Sequence, residues 1–155
     1  MRWKNACAII CHYFLSRGVL MDTNQERNHY ERFLERKAEF KQALNRLADA
    51  LGQPDNEFTR DAVIQRFEFT YELAWKALKN YLLTKDIDVR NAKDTLKASL
   101  EQGLIHDGGA WSRLHHQRNL TSHTYDLELA IEVYDYLKQA GLSLFLELAE
   151  ALENL

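Results

Sequence analysis

A single proline, Pro54, and six glycines leave this 155-residue chain few places where a helix must stop. Between those places apolar residues recur at threes and fours, the spacing of a helix that buries one face. Residues 24–51 carry Tyr30, Phe33, Ala38, Phe40, Leu44, Leu47 and Leu51 as one stripe, closed by Gly52 and Pro54. Residues 57–84 carry two stripes: Ile64, Phe67, Tyr71, Ala74, Trp75, Leu78 and Leu82, then Phe69, Leu73, Ala77 and Tyr81. A helix apolar on two sides is expected at the centre of a bundle, shared with a second subunit, or both.

Three more helices complete the expectation. One spans residues 91–102, with Asn91 and Asp94 spaced for capping and Gly103 as the stop. A short one follows at residues 110–117, started by Asp107 or a glycine. The last covers residues 126–153, buries Ala130, Val133, Tyr134, Leu137, Leu144, Leu148 and Leu152, and is loosened midway at Gly141. The fold class is therefore all-α: an antiparallel four-helix bundle with one extra short helix.

Length and composition fit one soluble domain with a real core, and no apolar run reaches a membrane-spanning length. Net charge is −3, so nothing global favours nonspecific nucleic-acid binding; a polyanion would have to be held locally. Cys7 and Cys11 are too few for a disulfide framework and read as reduced thiols, which implies a cytoplasmic setting. With His12 they lack a fourth ligand nearby, so neither a metal site nor a cofactor is expected. The first twenty residues hold Arg2, Lys4 and Arg17 and no acid, whereas the rest holds 17 basic against 23 acidic residues. Met21 followed by Asp22, Thr23 and Asn24 reads as a natural start with capping residues. Residues 1–20 are accordingly expected to be an extension outside the native protein, and residues 21–155 the domain.

The chemistry concentrates in Arg118-Asn119-Leu120-Thr121-Ser122-His123-Thr124-Tyr125. No acidic residue lies between Gly108 and Tyr125, while Arg113, His115, His116, Arg118 and His123 all do. Such a window suits a phosphate better than a metal. Five residues of ideal helix turn Arg118 and His123 about 140° apart. They can share a ligand only if the backbone breaks near Leu120–His123 or a two-fold interface supplies a second copy. Thr121, Ser122 and Thr124 favour a break, because their hydroxyls compete for backbone groups. A neutral imidazole can deprotonate a ribose 2′-hydroxyl while a guanidinium stabilises a phosphorane, which suffices for metal-free RNA cleavage. The same two side chains at a helix junction can also simply satisfy terminal carbonyls. His115 and His116 read as surface or rim residues, and Trp75 and Trp111 as core.

Arg118-Asn119-x-x-x-His123-x-Tyr125 resembles the Arg-x4-His-x-Tyr motif of HepT-like proteins in the HEPN superfamily. Arg66-Phe67-Glu68-Phe69-Thr70-Tyr71-Glu72-Leu73-Ala74-Trp75-Lys76 is similar to the second-helix signature of nucleotidyltransferase substrate-binding proteins, as are Gly103-Leu104-Ile105 and Trp111. The resemblance implies a homodimeric bundle encoded beside a minimal nucleotidyltransferase of the MntA type. It implies a ribonuclease toxin with RNA as substrate, in which Arg118 and His123 are catalytic and Asn119 is a supporting polar group. Tyr125 would be the site where the partner transfers AMP. Arg113, His116 and Ser122 are further candidates for phosphate or RNA contact. The alternative is a non-catalytic subunit that presents substrate to the nucleotidyltransferase.

Overall fold

The computed structural model describes the backbone of residues 5–123 and 126–155 and the side chains of residues 25–122 and 126–155. Among these residues there are only helices and turns. They run α1 (Asn5–Leu51), α2 (Glu57–Leu83), α3 (Ala92–Glu101), α4 (Gly108–Leu120), a 3-10 turn (Thr121–His123), α5 (Leu127–Tyr136), a π turn (Leu137–Gly141) and α6 (Leu142–Glu153).

The expected helices are present, and their ends follow the capping chemistry. Asn56 accepts from the Thr59 amide before α2, and Asn91 from the Asp94 amide before α3. The Asn91 side-chain amide also donates to Asp94 at 3.0 Å, so the two residues cap reciprocally. Asp107 accepts from the Ala110 amide and opens α4. Gly103 closes α3 at φ +70°, a left-handed conformation that a side chain would strain.

One detail departs from the sequence expectation and another gives it a definite form. α1 does not start near Asn24; it is helical from Asn5. A capping triplet such as Asp22-Thr23-Asn24 starts a helix only when something ahead of it stops the previous turn, and no proline precedes it. The last helix is continuous from Leu127 but widens into the π turn that ends at Gly141. Gly141 is buried there, and an added Cβ would sit 2.8 Å from Leu137 Cδ2 and 3.4 Å from Leu114 Cδ1. The missing side chain leaves room chiefly for Leu137 and Tyr136 of the same helix, with Leu114 of α4 in contact beyond.

Contacts between α1 and α2 fix their direction. Phe33 meets Tyr81 with centroids 5.2 Å apart, while Arg66 donates to the Arg46 carbonyl at 2.8 Å. The paired positions run oppositely, so the helices are antiparallel. α6 returns along α1: Phe40 packs on Phe145, and Lys37 and Lys41 pair with Glu153. At the centre Phe145 also meets Phe67 and Trp111, Phe67 meets Tyr71, and Tyr71 meets His115. An aromatic series thus connects the middle of the bundle to α4.

Most predicted core positions are buried. Ala38 and Tyr30 are exposed, because α1 lies at the edge of the bundle and only part of its stripe meets α2 and α6. Of the second stripe on α2, Ala77 is buried, Leu73 and Tyr81 are half-buried, and Phe69 is 57% exposed. Among the described residues nothing covers Phe69.

Candidate functional site

α4 carries the residues singled out in the sequence, and two side-chain contacts fix how it sits. Gln117 is buried and donates to Glu132 of α5 at 3.0 Å, and the Tyr136 hydroxyl donates to the Ala110 carbonyl at 3.4 Å. The helix ends at Leu120 and a 3-10 turn follows, so the backbone departs from α-helical geometry where a shared ligand would need it to. The tighter turn advances each residue by about 120° rather than 100°. It therefore does not by itself bring position 123 round to Arg118.

Arg118 lies in the last turn and reaches across to α2. Its guanidinium is 3.9 Å from Glu68 Oε1 and 3.7 Å from Glu72 Oε1, with about a quarter of the side chain exposed (28%). Both distances exceed those of a charge-assisted hydrogen bond, so the carboxylates steer the guanidinium without fully engaging its N–H groups. The Thr121 hydroxyl lies 2.6 Å from Glu68 Oε1 and 2.7 Å from the Arg118 carbonyl, tying the turn to α2 at the same point. The cationic window of the sequence is therefore not purely cationic in space: two acids from a segment fifty residues away face its key arginine.

His115 is closer to the interior than a rim position. Its Nδ1 is 2.7 Å from the Tyr71 hydroxyl, and the two rings are 5.8 Å apart. Burial, with Arg118, Lys93 and His116 nearby, lowers its pKa. Tyr71 is pushed up, chiefly by burial, and stays protonated. A buried O–H needs an acceptor, so Tyr71 donates to Nδ1 and the proton of the neutral imidazole sits on Nε2.

The remaining candidates divide. His116 and Asn119 line a cleft of about 500 Å3 between α3 and α4. Ser122 is exposed on the 3-10 turn. Arg113 is exposed and faces Gly109 and Tyr136, away from Arg118. The side chain of His123 and all of Thr124 and Tyr125 lie outside the described residues, as do the side chains of Cys7, Cys11 and His12. Among the described residues no cluster of His, Cys, Asp or Glu could hold a metal ion. No helix among them is long and apolar enough to cross a membrane. Sequence reasoning placed Tyr71 in the core stripe, Thr121 at the break and Glu68 and Glu72 in the second-helix signature, but gave none of them a part in the site. The available signal was the four-residue spacing of the two glutamates, which places both on one face of α2.

Residues 35–154 match the family described as nucleotidyltransferase substrate binding protein like. The chain belongs to this family. A Haemophilus influenzae protein described as a probable ribonuclease HepT is 46% identical over 76 residues, which are 46% of this chain and 52% of that relative. The chain thus spans about half the length of the curated relative it matches.

Solved structures agree on the helical fold. A Thermus thermophilus protein superposes with a TM-score of 0.64 at 30% identity, over 74% of this chain and 96% of that one. A Haemophilus influenzae structure, described as the fold of a substrate binding domain of a nucleotidyltransferase, gives 0.56 at 32% identity over 78% and 96%. A mutant of the toxin-antitoxin MntA-HpeT gives 0.68 at 15% identity over 81% and 99%, a likeness of fold alone.

Proposed function

We propose that this HepT-like protein is the ribonuclease toxin of a two-gene pair, restrained by a minimal nucleotidyltransferase. The observation that carries the reading is the end of α4. There Arg118 is aimed by two acids that leave N–H donors available, and the α-helix gives way after Leu120 to a 3-10 turn that ends at His123. The relative described as a probable ribonuclease supports the activity. The family's own description and the toxin-antitoxin neighbour support the partner.

In this reading His123 takes the proton of a ribose 2′-hydroxyl, and the 2′-oxygen attacks the adjacent phosphorus. Arg118 stabilises the extra negative charge of the phosphorane. The bond to the 5′-oxygen breaks, and that oxygen receives a proton from an imidazolium, giving a cyclic phosphate and a 5′-hydroxyl. Helical geometry separates positions 118 and 123 on one chain, so the reading includes a homodimer in which two copies of the motif meet. The exposed Phe69 on α2, beside the half-buried Leu73, supports a second subunit. Asn119 is a supporting polar group that meets the strand from the cleft side, and Tyr125 accepts AMP from the partner, which adds bulk and charge beside the site. The setting is cytoplasmic, where both proteins would meet RNA and ATP.

Expression in a bacterial host tests the reading. Wild type arrests growth and yields RNA fragments with cyclic phosphate ends, while His123→Ala is harmless. Incubation with ATP, magnesium and the partner enzyme adds one AMP to wild type and none to Tyr125→Phe, read by intact-protein mass. A harmless wild type that cleaves no RNA as an unmodified dimer would overturn the toxin assignment.

A further inference from the structure

The cleft between α3 and α4 is not needed to explain the cleavage step, and its chemistry is distinctive. Its floor is apolar, made by Leu96, Ile105 and Trp111. Its rim carries Lys93 and Lys97 from α3 and His116 from α4. No acidic residue lines it, although the chain as a whole is acidic. At about 500 Å3 it falls in the size range of small-ligand sites. Gly108 leaves room for the end of the Leu100 side chain at the cleft, since a Cβ there would sit 2.7 Å from Leu100 Cδ2.

Between floor and rim stand two groups that can read a base. The side-chain amide of Asn119 makes no hydrogen bond among the described residues, and the Tyr71 contact leaves Nε2–H of His115 as a donor. Asn119 also follows Arg118 directly, so the cleft opens on the neighbouring face of the same turn of α4.

We propose that this cleft is a nucleotide subsite for the RNA strand, holding the residue next to the cleaved phosphate. The base lies over the apolar floor with its edge toward Asn119 and His115, and its backbone phosphate sits between the lysines and His116. Single-stranded RNA is recognised by this combination of an apolar platform, hydrogen bonds to base edges and a cationic track for the backbone. The assignment rests on RNA being the substrate.

The test uses the full chain, isotope-labelled, with a ribodinucleotide blocked by a 2′-O-methyl group, and separately with a nucleoside 5′-monophosphate. Cleavage of a hexaribonucleotide is followed in parallel. The dinucleotide is expected to shift the Trp111 indole N–H and the amides of Gly108 and Ser112. Lys93→Glu with Lys97→Glu should weaken its binding, and kcat/KM for the hexamer, by at least about tenfold and flatten the salt dependence. Ser112→Trp, which obstructs the cleft without changing charge, should do the same if the double variant is poorly folded. Unshifted cleft signals, or unchanged kcat/KM in both variants, would overturn the subsite. Binding of the mononucleotide with cleavage unaffected by the variants would make this a free-nucleotide pocket and equally overturn it. If wild type cleaves no RNA, the toxin reading fails and takes with it the placement beside a cleaved phosphate, whereas cleavage by wild type without dinucleotide shifts overturns the subsite alone.

Discussion

The two flanks of α4 are built from the same short helix and treat charge in opposite ways. Toward α2, Arg118 meets Glu68 and Glu72, and Thr121 adds a hydrogen bond to the same carboxylate. Toward α3, His116 and Asn119 meet Lys93 and Lys97 across a cleft with no acid in its lining. One flank positions a single cation and mutes it. The other gathers two lysines, of which Lys97 is only loosely paired, 4.0 Å from the exposed Glu101. An acidic protein that must still grip a polyanion can do so through such local segregation, because screening confines surface charges to about a Debye length, ~8 Å at physiological salt.

The largest expected effect lies on the α2 flank. Arg118→Ala should lower RNA cleavage by roughly 10²–10³-fold, the usual cost of losing a donor that meets developing charge. Its loosely paired, partly exposed ion pairs should cost stability no more than about 1 kcal/mol. Melting temperature and cleavage rate measured together separate the two. A large loss of stability with unchanged cleavage would mean that Arg118 only fastens α4 to α2.

Replacing the acids sharpens the contrast. Glu68→Gln with Glu72→Gln removes two negative charges beside Arg118 and should strengthen RNA binding severalfold at low salt, with a steeper salt dependence. If the glutamates aim the guanidinium, kcat falls while binding improves. If they only repel RNA, kcat is unchanged. Either way the two flanks become electrostatically alike, and direct binding measurements at two salt concentrations will report it.

How far this division was legible in the sequence depends on separation along the chain. The caps Asn91 and Asp94, the stop at Gly103 and the loosening at Gly141 act within a turn or two, and each is where the residues indicated. The buried stripe from Phe33 to Leu51 follows equally from local period, whereas Ala38 departs from it because period alone does not give the width of the covering neighbours. Long-range pairs were invisible. Thr121 meets Glu68 from 53 positions away and His115 meets Tyr71 from 44, so a stretch without acids looked cationic when its partners were not.

His115 joins the two flanks, touching Tyr71 on one side and lining the cleft on the other, so its titration reports on both. Its pKa in the folded state is lowered from the ordinary value, so just below pH 6.5 the unfolded chain binds a proton that the folded chain does not. Its contribution to stability is therefore present above that range and is lost as pH falls toward the folded-state value. Urea midpoints should drop between pH 7 and pH 5 more in wild type than in His115→Gln. Proton NMR should place its titration below 6.5 and raise it in Tyr71→Phe, where the donor that holds Nδ1 as an acceptor is gone. A midpoint at or above 6.5 in wild type would show that the neighbouring cations and burial do not act on this ring.

The smallest effect should come from Gly108→Ala, at the first position of α4. The added methyl would meet Leu100 Cδ2 at 2.7 Å, but that atom is the end of a flexible side chain that is 41% exposed and can turn away. Alanine also restricts the unfolded chain more than glycine, which favours the variant by about 0.4–1 kcal/mol where the backbone suits it. The two terms oppose each other, so the melting temperature should move by no more than a few degrees. The cleft, however, must accommodate the displaced Leu100, and dinucleotide affinity should fall by a measurable factor while the Arg118 flank keeps its contacts. Paired measurements of melting and dinucleotide binding check this: equal binding in both proteins would mean that the α3 flank tolerates a change of shape, and that charge alone distinguishes it from the α2 flank.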